Sequence, residues 1–277
     1  MSAIIKKMFS LPGELWNNRS LIWKLSKNDF KTRYAGSYLG IVWAFVQPVI
    51  TILVYWLVFE KGFSAKAEML KAGVSVPFVV YLTSGLVPWF FFSEAVTSST
   101  NALLEYNYLV KKVVFKISIL PMIKIIAAGF IHVFFVGVLL IISWIYGYHV
   151  TPYTFQILYY SLCMFLLVLA MSYTLCSVVV FFRDLSQIVG IALQIGMWAT
   201  PIMWSFSRTE GHPGLAFLFR LNPLFYIVSG YRQALFEKVW FWQQPGLTAY
   251  FWIVTLLIFA FGVFVFKRLK PHFADVL

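Results

Sequence analysis

Long apolar stretches alternate with short polar ones along most of this chain. A membrane-spanning helix needs about 20 consecutive, mostly apolar residues. Six stretches meet that length, and they lie roughly at Tyr38–Phe59, Pro77–Thr100, Pro121–Gly147, Phe155–Phe182, Gln187–Phe206 and Thr248–Phe266. The pattern therefore predicts an all-α polytopic membrane protein with six transmembrane helices, in a single transmembrane domain that covers residues 38–277.

Residues 1–37 differ from the predicted spans because they are rich in lysine. A helix from Ser20 to about Lys31 would place Lys24, Lys27 and Lys31 in one narrow sector, with apolar and aromatic side chains over the rest. A basic amphipathic helix of this kind commonly lies in the lipid headgroup layer. We expect an N-terminal amphipathic interface helix, and the alternative is an ordinary solvated lysine face.

A short cationic segment, Asn101–Lys116, separates the second and third predicted spans. Drawn as one helix, it places Glu105, Lys112 and Lys116 in a narrow polar stripe and leaves most of the remaining surface apolar. An elbow of this kind on the cytoplasmic side can transmit a push from a soluble partner. We expect a cytoplasmic coupling helix here, and the alternative is that its lysines serve only as topology signals.

The segment Ser207–Gly246 contains apolar pieces that are too short to span a membrane and too apolar for water. Non-helical backbone at membrane depth is tolerated only where protein or a cavity supports it. We therefore expect external re-entrant or interfacial helices before the sixth span.

Composition agrees with a membrane class. Of 277 residues, 61% are hydrophobic and only 12% are charged, so lipid must serve as the solvent for part of the surface. The net charge of +12 could suggest nucleic acid. With both termini in the cytoplasm, however, the inside segments hold roughly twice as many cations as the outside ones. The basicity is then explained by membrane topology, and nucleic acid binding is not expected.

Several motif classes are absent from the sequence. It has no Gly-x-x-x-x-Gly-Lys-Ser/Thr loop, so the chain should not bind ATP itself. Scattered histidines give no metal-site spacing, and no catalytic motif supports an enzyme. Glu94 and Lys124 are the candidate ionisable residues inside the spans. An ion-coupled carrier would therefore have few groups with which to bind its coupling ion. Both lie toward the cytoplasmic ends of their spans, within reach of headgroups or of each other.

An aromatic run, Trp89-Phe90-Phe91-Phe92, lies inside the second predicted span. Interfacial belts explain many aromatic residues of membrane proteins. Four consecutive rings cover every face of a helix, however, so at least one of them must point inward. Aromatic faces can stack on sugar rings while offering few strong hydrogen bonds, which suits a pathway along which a polymer slides.

Several short motifs, in order along nearly the whole chain, resemble the ABC-2 type export permeases, and more narrowly the subgroup that exports lipid-linked wall teichoic acid or O-antigen polysaccharide. They are Arg33-Tyr34, Ser37-x-Leu39-Gly40-x-x-Trp43, Pro48, Gly85-Leu86-x-Pro88-Trp89-x-Phe91-Phe92, Arg183-Asp184, Thr200-Pro201-Ile202 and Asn222-Pro223. The run Val54–Phe59 favours the teichoic acid member.

The resemblance implies a homodimer with two copies of a separate P-loop ATPase, which binds the ATP and Mg²⁺, so that no cofactor is expected in this chain. It implies an undecaprenyl-diphosphate-linked polymer that crosses the bacterial cytoplasmic membrane through a channel at the dimer interface. The alternatives are an O-antigen or capsular polysaccharide permease, another ABC-2 exporter, a membrane-embedded enzyme of lipid-linked sugar metabolism, or a secondary transporter.

The same reasoning gives three sets of candidate site residues and no catalytic or metal-binding residue. The candidates for the diphosphate headgroup are Lys31 and Arg33, the cations nearest the first span. The candidates for the channel wall are Tyr55, Trp56, Trp89, Phe90, Phe91 and Phe92. The candidates for ATPase coupling are Glu105, Tyr108, Lys111, Lys112 and Lys116.

Overall fold

The computed structural model describes residues 11–63, 68–70, 73–111, 116–206 and 211–277. Residues 11–17 are helical and lead into twelve α-helices. These are α1 (Arg19–Arg33), α2 (Trp43–Trp56), α3 (Phe78–Thr100), α4 (Ala102–Glu105), α5 (Asn107–Val110), α6 (Leu120–Ile145), α7 (Gln156–Val179), α8 (Leu185–Ala199), α9 (Pro213–Arg220), α10 (Pro223–Arg232), α11 (Pro245–Leu269) and α12 (Phe273–Val276). One short antiparallel pair, β1 (Glu68–Met69) and β2 (Ser75–Val76), follows the first span.

Five helical segments in the described part of the chain are long and apolar enough to cross a membrane. They are Gly40–Gly62, Phe78–Thr100, Ile117–Ile145, Pro152–Val179 and Pro245–Val276. Each one overlaps a predicted span, and together they indicate a multi-pass membrane protein. Pro48 and Pro88 lie inside α2 and α3, and both helices continue through them.

The fifth predicted span, residues 187–206, is a shorter helix than the sequence suggested. The helix α8 ends at Ala199, and Thr200 is extended because the ring of Pro201 disfavours helical backbone before it. Fifteen residues of helix extend only about 22 Å, less than the hydrocarbon thickness of about 30 Å. The count of six spans therefore stays a prediction.

Helix α3 is the centre of the bundle. Within its most apolar window 78% of the residues are buried, against 11% for the first span. It packs against α6, α7 and α10, with α2 and α8 on its flanks, while α11 packs along α7 and α1 along α6. The first span is thus the least buried of the five.

The segment between α8 and α11 contains the short helices α9 and α10. Its external location and its depth in the membrane stay predictions. Helix α10 is buried against α3 and α7, and α9 is exposed. The side chain of Gln156 at the start of α7 holds the end of this segment through two hydrogen bonds to its backbone. Its amide nitrogen donates to the carbonyl of Val239 at 3.0 Å, and its oxygen accepts from the backbone N–H of Phe241 at 2.8 Å.

The contact between α7 and α10 requires a glycine. A Cβ atom on Gly230 would lie 2.1 Å from Cε1 of Tyr160, and the Tyr160 ring is itself only 1% exposed. The ring cannot swing into solvent to make room. This close approach sets the distance at which α10 docks on the spans.

We predict that Gly230→Ala destabilises the protein, because overpacking of a filled core costs about 1–3 kcal/mol. The thermal unfolding midpoint in detergent should fall. Gly214→Ala in α9 is the matched control, since a Cβ atom there meets nothing within 4 Å. An equal midpoint for the two variants would show that α10 does not dock on α7 in this way.

Candidate coupling site

A buried lysine ties the N-terminal arm to the elbow at one end of the bundle. Nζ of Lys124 on α6 lies 2.5 Å from Oδ1 of Asp29 on α1 and 2.5 Å from Oε2 of Glu105 at the end of α4. The side chains of Lys124 and Asp29 are 5% and 6% exposed, whereas that of Glu105 is 51% exposed. The Asp29 pair is therefore the buried part of the cluster.

Arg33 extends this cluster to the second span. It lies one helical turn after Asp29 on α1, and its Nη2 is 3.4 Å from Oδ2 of Asp29, while Nη1 pairs with a carboxylate oxygen of Glu94 on α3. Burial alone would lower the pKa of the Arg33 guanidinium, but Glu94 and Asp29 outweigh it and raise that pKa. The guanidinium stays charged.

Tyr106 completes the set of donors around Asp29. Its hydroxyl donates to Oδ1 of Asp29 at 2.6 Å, and its ring centroid lies 4.9 Å from Nζ of Lys124. Burial and the bond to Asp29 both raise the pKa of the Tyr106 phenol, so it remains a neutral donor. The carboxylate of Asp29 thus accepts from Lys124, Tyr106 and Arg33 together.

This arrangement gives the two most buried charges of the cluster, Lys124 and Asp29, partners of opposite charge. Removing ions from water is costly, and a buried pair holds only when hydrogen bonds also satisfy its remaining atoms. The four segments that supply these side chains, α1, α3, α6 and the elbow, are consequently fixed to one another by charge. We call these six residues the charge cluster, and they are Asp29, Arg33, Glu94, Glu105, Tyr106 and Lys124.

An open cavity of about 380 Å³ lies beside the charge cluster. Its lining includes three carboxylates, from Asp29, Glu94 and Glu105, and only two cations, from Arg33 and Lys124. An anionic headgroup would have to separate Arg33 from Glu94 before it could bind there. Lys31, the other predicted headgroup residue, is exposed on α1.

The predicted aromatic residues diverge into different environments. Phe90 and Phe91 line a second cavity of about 240 Å³ between α2, α3 and α6, where the Phe91 ring stacks on His132 with centroids 4.7 Å apart. Trp89 and Phe92 are buried, and Trp89 faces Gly196 on α8. The other two, Tyr55 and Trp56, are half-buried near the end of the first span.

The elbow does not form the single predicted helix. Its described part is two four-residue helices, α4 and α5, which break at Tyr106, where φ is −100° and ψ is 30°. The prediction of one continuous helix was wrong at Tyr106, whose hydroxyl donates to Asp29 while the neighbouring Glu105 pairs with Lys124. Lys112 lies outside the described residues, whereas Tyr108, Lys111 and Lys116 are exposed.

Sequence reasoning missed Asp29 and Tyr106 as functional residues. Glu94 and Lys124, which the sequence placed within reach of headgroups or of each other, each pair with a residue of opposite charge on α1. One signal was available: Asp29 is the only acidic residue between Arg19 and Arg33, in an otherwise basic helix. No group of three potential metal ligands occurs in the described ranges.

We predict that Lys124→Met destabilises the protein by about 3–5 kcal/mol, because it leaves Asp29 buried without its ammonium partner. Asp29→Asn should cost less when Lys124 is already Met than in the native protein. A double-mutant cycle on the thermal unfolding free energy measures this coupling. Lys111→Met on the exposed elbow is the control and should leave stability unchanged. Strictly additive losses would contradict the pairing.

Comparison with known proteins agrees with this architecture. A family model described as ABC-2 type transporter matches residues 20–236. The O-antigen export system permease protein RfbA of Myxococcus xanthus is 28% identical over 268 residues, which cover 97% of this chain and 99% of that protein. A protein of the same name from Klebsiella pneumoniae is 23% identical over 257 residues, which cover 91% of this chain and 93% of that protein. Because the family match spans well over half of its length, this chain belongs to the ABC-2 type transporter family and is a transporter permease.

Proposed function

We propose that this chain is the permease subunit that exports an undecaprenyl-diphosphate-linked glycopolymer across the bacterial cytoplasmic membrane, driven by a separate ATPase. The observation that carries the proposal is the charge cluster, which links the elbow to the arm and to two spans. A permease needs such a link if a soluble ATPase is to move its membrane helices.

We favour an O-antigen type of polysaccharide as the polymer. Two relatives that align over nearly their full length carry the name O-antigen export system permease. Wall teichoic acid is the second candidate, and it rests on the run Val54–Phe59 alone. Both polymers share a lipid diphosphate anchor, so one export mechanism would serve either polymer.

The exposed face of the elbow is the proposed ATPase contact. Lys111 and Lys116 are exposed cations, and the Tyr108 ring is 56% exposed at the same end of the bundle. Lys112, which lies outside the described residues, belongs to the same predicted set. When ATP closes the partner ATPases, a push on this face would pass through Glu105 and Tyr106 to Lys124 and Asp29, and so reach α6 and the arm together.

The polymer pathway is proposed to form between two copies of this chain. Helices α2 and α8 expose more apolar surface than the central spans, and they flank the aromatic run of α3. Their exposed large side chains include Ile50, Leu53, Ile191, Ile195 and Trp198. A second copy would cover these faces, and the cavity lined by Phe90 and Phe91 would then adjoin the pathway.

The lipid diphosphate is proposed to enter at Lys31 and Arg33. Arg33 can engage two phosphate oxygens at once, but its present partners are carboxylates. Loading would therefore exchange Glu94 for phosphate. That exchange would loosen α3 from the arm at the moment when substrate arrives.

The test of the proposed function is reconstitution of the native complex. We expect a P-loop ATPase to co-purify with the chain, and we expect purified lipid-linked polysaccharide to stimulate its hydrolysis. Robust ATP hydrolysis by this chain alone, or glycosyl chemistry on the lipid-linked substrate, would refute the permease role. Transport that follows an ion gradient without ATP would identify a secondary carrier instead.

We predict that reversing the exposed elbow charges uncouples the machine. Lys111→Glu with Lys116→Glu should preserve basal ATP hydrolysis but lower export roughly fivefold or more, the range typical of coupling free energies. Arg268→Glu with Lys270→Glu is the matched control, since these exposed cations lie at the proposed cytoplasmic end but away from the elbow. Equal export by both variants would remove the coupling role from the elbow.

We also predict both termini on the cytoplasmic side. His212→Cys should react with an impermeant thiol reagent in intact cells, and Arg183→Cys should react only after the membrane is opened. Both positions are exposed, and the native Cys163 and Cys176 are buried, so the background should be low. The reverse labelling pattern would contradict this topology and place both termini outside.

A further inference from the structure

An apolar groove of about 570 Å³ lies on the side of the bundle formed by α6, α7 and α11. The N-terminal arm, through residues 11–17 and α1, forms its remaining wall. Residues such as Phe165, Leu166 and Leu256 make the lining almost entirely hydrocarbon. The cavity that holds Phe90 and Phe91 has different walls, α2, α3 and α6, so the two are separate sites.

Among the described residues, Arg19 is the one charged side chain in the lining of this groove. Its guanidinium is exposed, donates to the carbonyl of Trp16 at 3.2 Å and lies 5.2 Å from the Trp16 ring centroid. No carboxylate of the described chain lies within salt-bridge distance of it, whereas Arg33 on the same helix pairs with two. The Arg19 charge is therefore available to an anion from outside the chain.

The tryptophans of the groove mark a boundary between hydrocarbon and polar surroundings. Trp16 and Trp23 contribute to the lining and are 70% and 48% exposed. Amphipathic rings favour the level of the lipid headgroups, and arginine engages phosphate oxygens in a bidentate way. A hydrocarbon groove with a cation and two such rings on its arm wall matches a molecule that has a long chain and a phosphate.

We propose that this groove binds one anionic phospholipid of the surrounding membrane, with an acyl chain between α6, α7 and α11 and its phosphate on Arg19. Burial of methylene groups supplies affinity for any lipid, and Arg19 supplies the preference for negative charge. The bound lipid would act as a wedge that fixes the arm, and with it Asp29, against the spans. A neutral lipid would fill the groove without fixing its headgroup.

The test uses the purified, delipidated full chain with phosphatidylglycerol, phosphatidylcholine, undecaprenyl phosphate or inorganic phosphate. Binding is followed by native mass spectrometry and by the thermal unfolding midpoint. We expect phosphatidylglycerol to bind roughly tenfold more tightly than phosphatidylcholine, the factor that one charge-assisted contact provides. Inorganic phosphate should neither bind measurably nor stabilise.

Two pairs of variants separate the headgroup from the chain. Arg19→Gln should abolish the preference for phosphatidylglycerol, while Lys24→Gln, which removes an exposed cation outside the lining, should keep it. Leu256→Trp should weaken the binding of both lipids, because the larger side chain would fill the groove. Leu257→Trp is its control, because Leu257 does not line the groove and its exposure of 65% is similar to the 61% of Leu256.

Four results would overturn the proposal. They are equal binding of the two phospholipids, a preference that survives Arg19→Gln, stabilisation by inorganic phosphate alone, and tighter binding of undecaprenyl phosphate than of phosphatidylglycerol. The last result would assign the groove to the export substrate. None of these outcomes depends on the ATPase partner, so the lipid site can fail while the permease role stands.

Discussion

The ammonium group of Lys124 is the constraint on which the arm and elbow end of this molecule depends. A cation buried within a membrane span must find its counter-charges inside the protein. It finds them in Asp29 on the arm and Glu105 on the elbow. The arm and the elbow are consequently held to α6 and to each other. The pairing of one buried charge thus connects the arm, the elbow and α6.

A second constraint acts at the other end of the bundle, where helix α8 stops short of a full span. Backbone that leaves the helix at Thr200 exposes carbonyls that lipid cannot satisfy. Arg232 donates to the carbonyls of Pro201 and Ile202 at 2.6 and 2.8 Å, from a helix that Gly230 allows to sit directly on Tyr160. The end of α8 and the buried helix α10 therefore support each other.

The sequence was informative wherever a single element carried the signal. Apolar length alone located five candidate spans, although the last one continues beyond the predicted end at Phe266. The short apolar pieces after Phe206 include the helices α9 and α10. It failed where long-range contacts decide the outcome. The break at Tyr106 depends on Asp29, which lies 77 residues away, and no local pattern reveals that contact. Likewise, the partner of Glu94 could not be chosen by spacing among the nearby cations.

The central claim is that arm and elbow move as one unit, and spin-label distances within one protomer test it directly. Labels at Lys24 and Lys111 would be measured in the complex with its ATPase, both without nucleotide and with ATP bound. Our account predicts one narrow distance distribution that is the same in both states, and a broadened one in Lys124→Met. A distance that shifts when ATP binds to the native complex would show that the two segments move independently and would contradict the account.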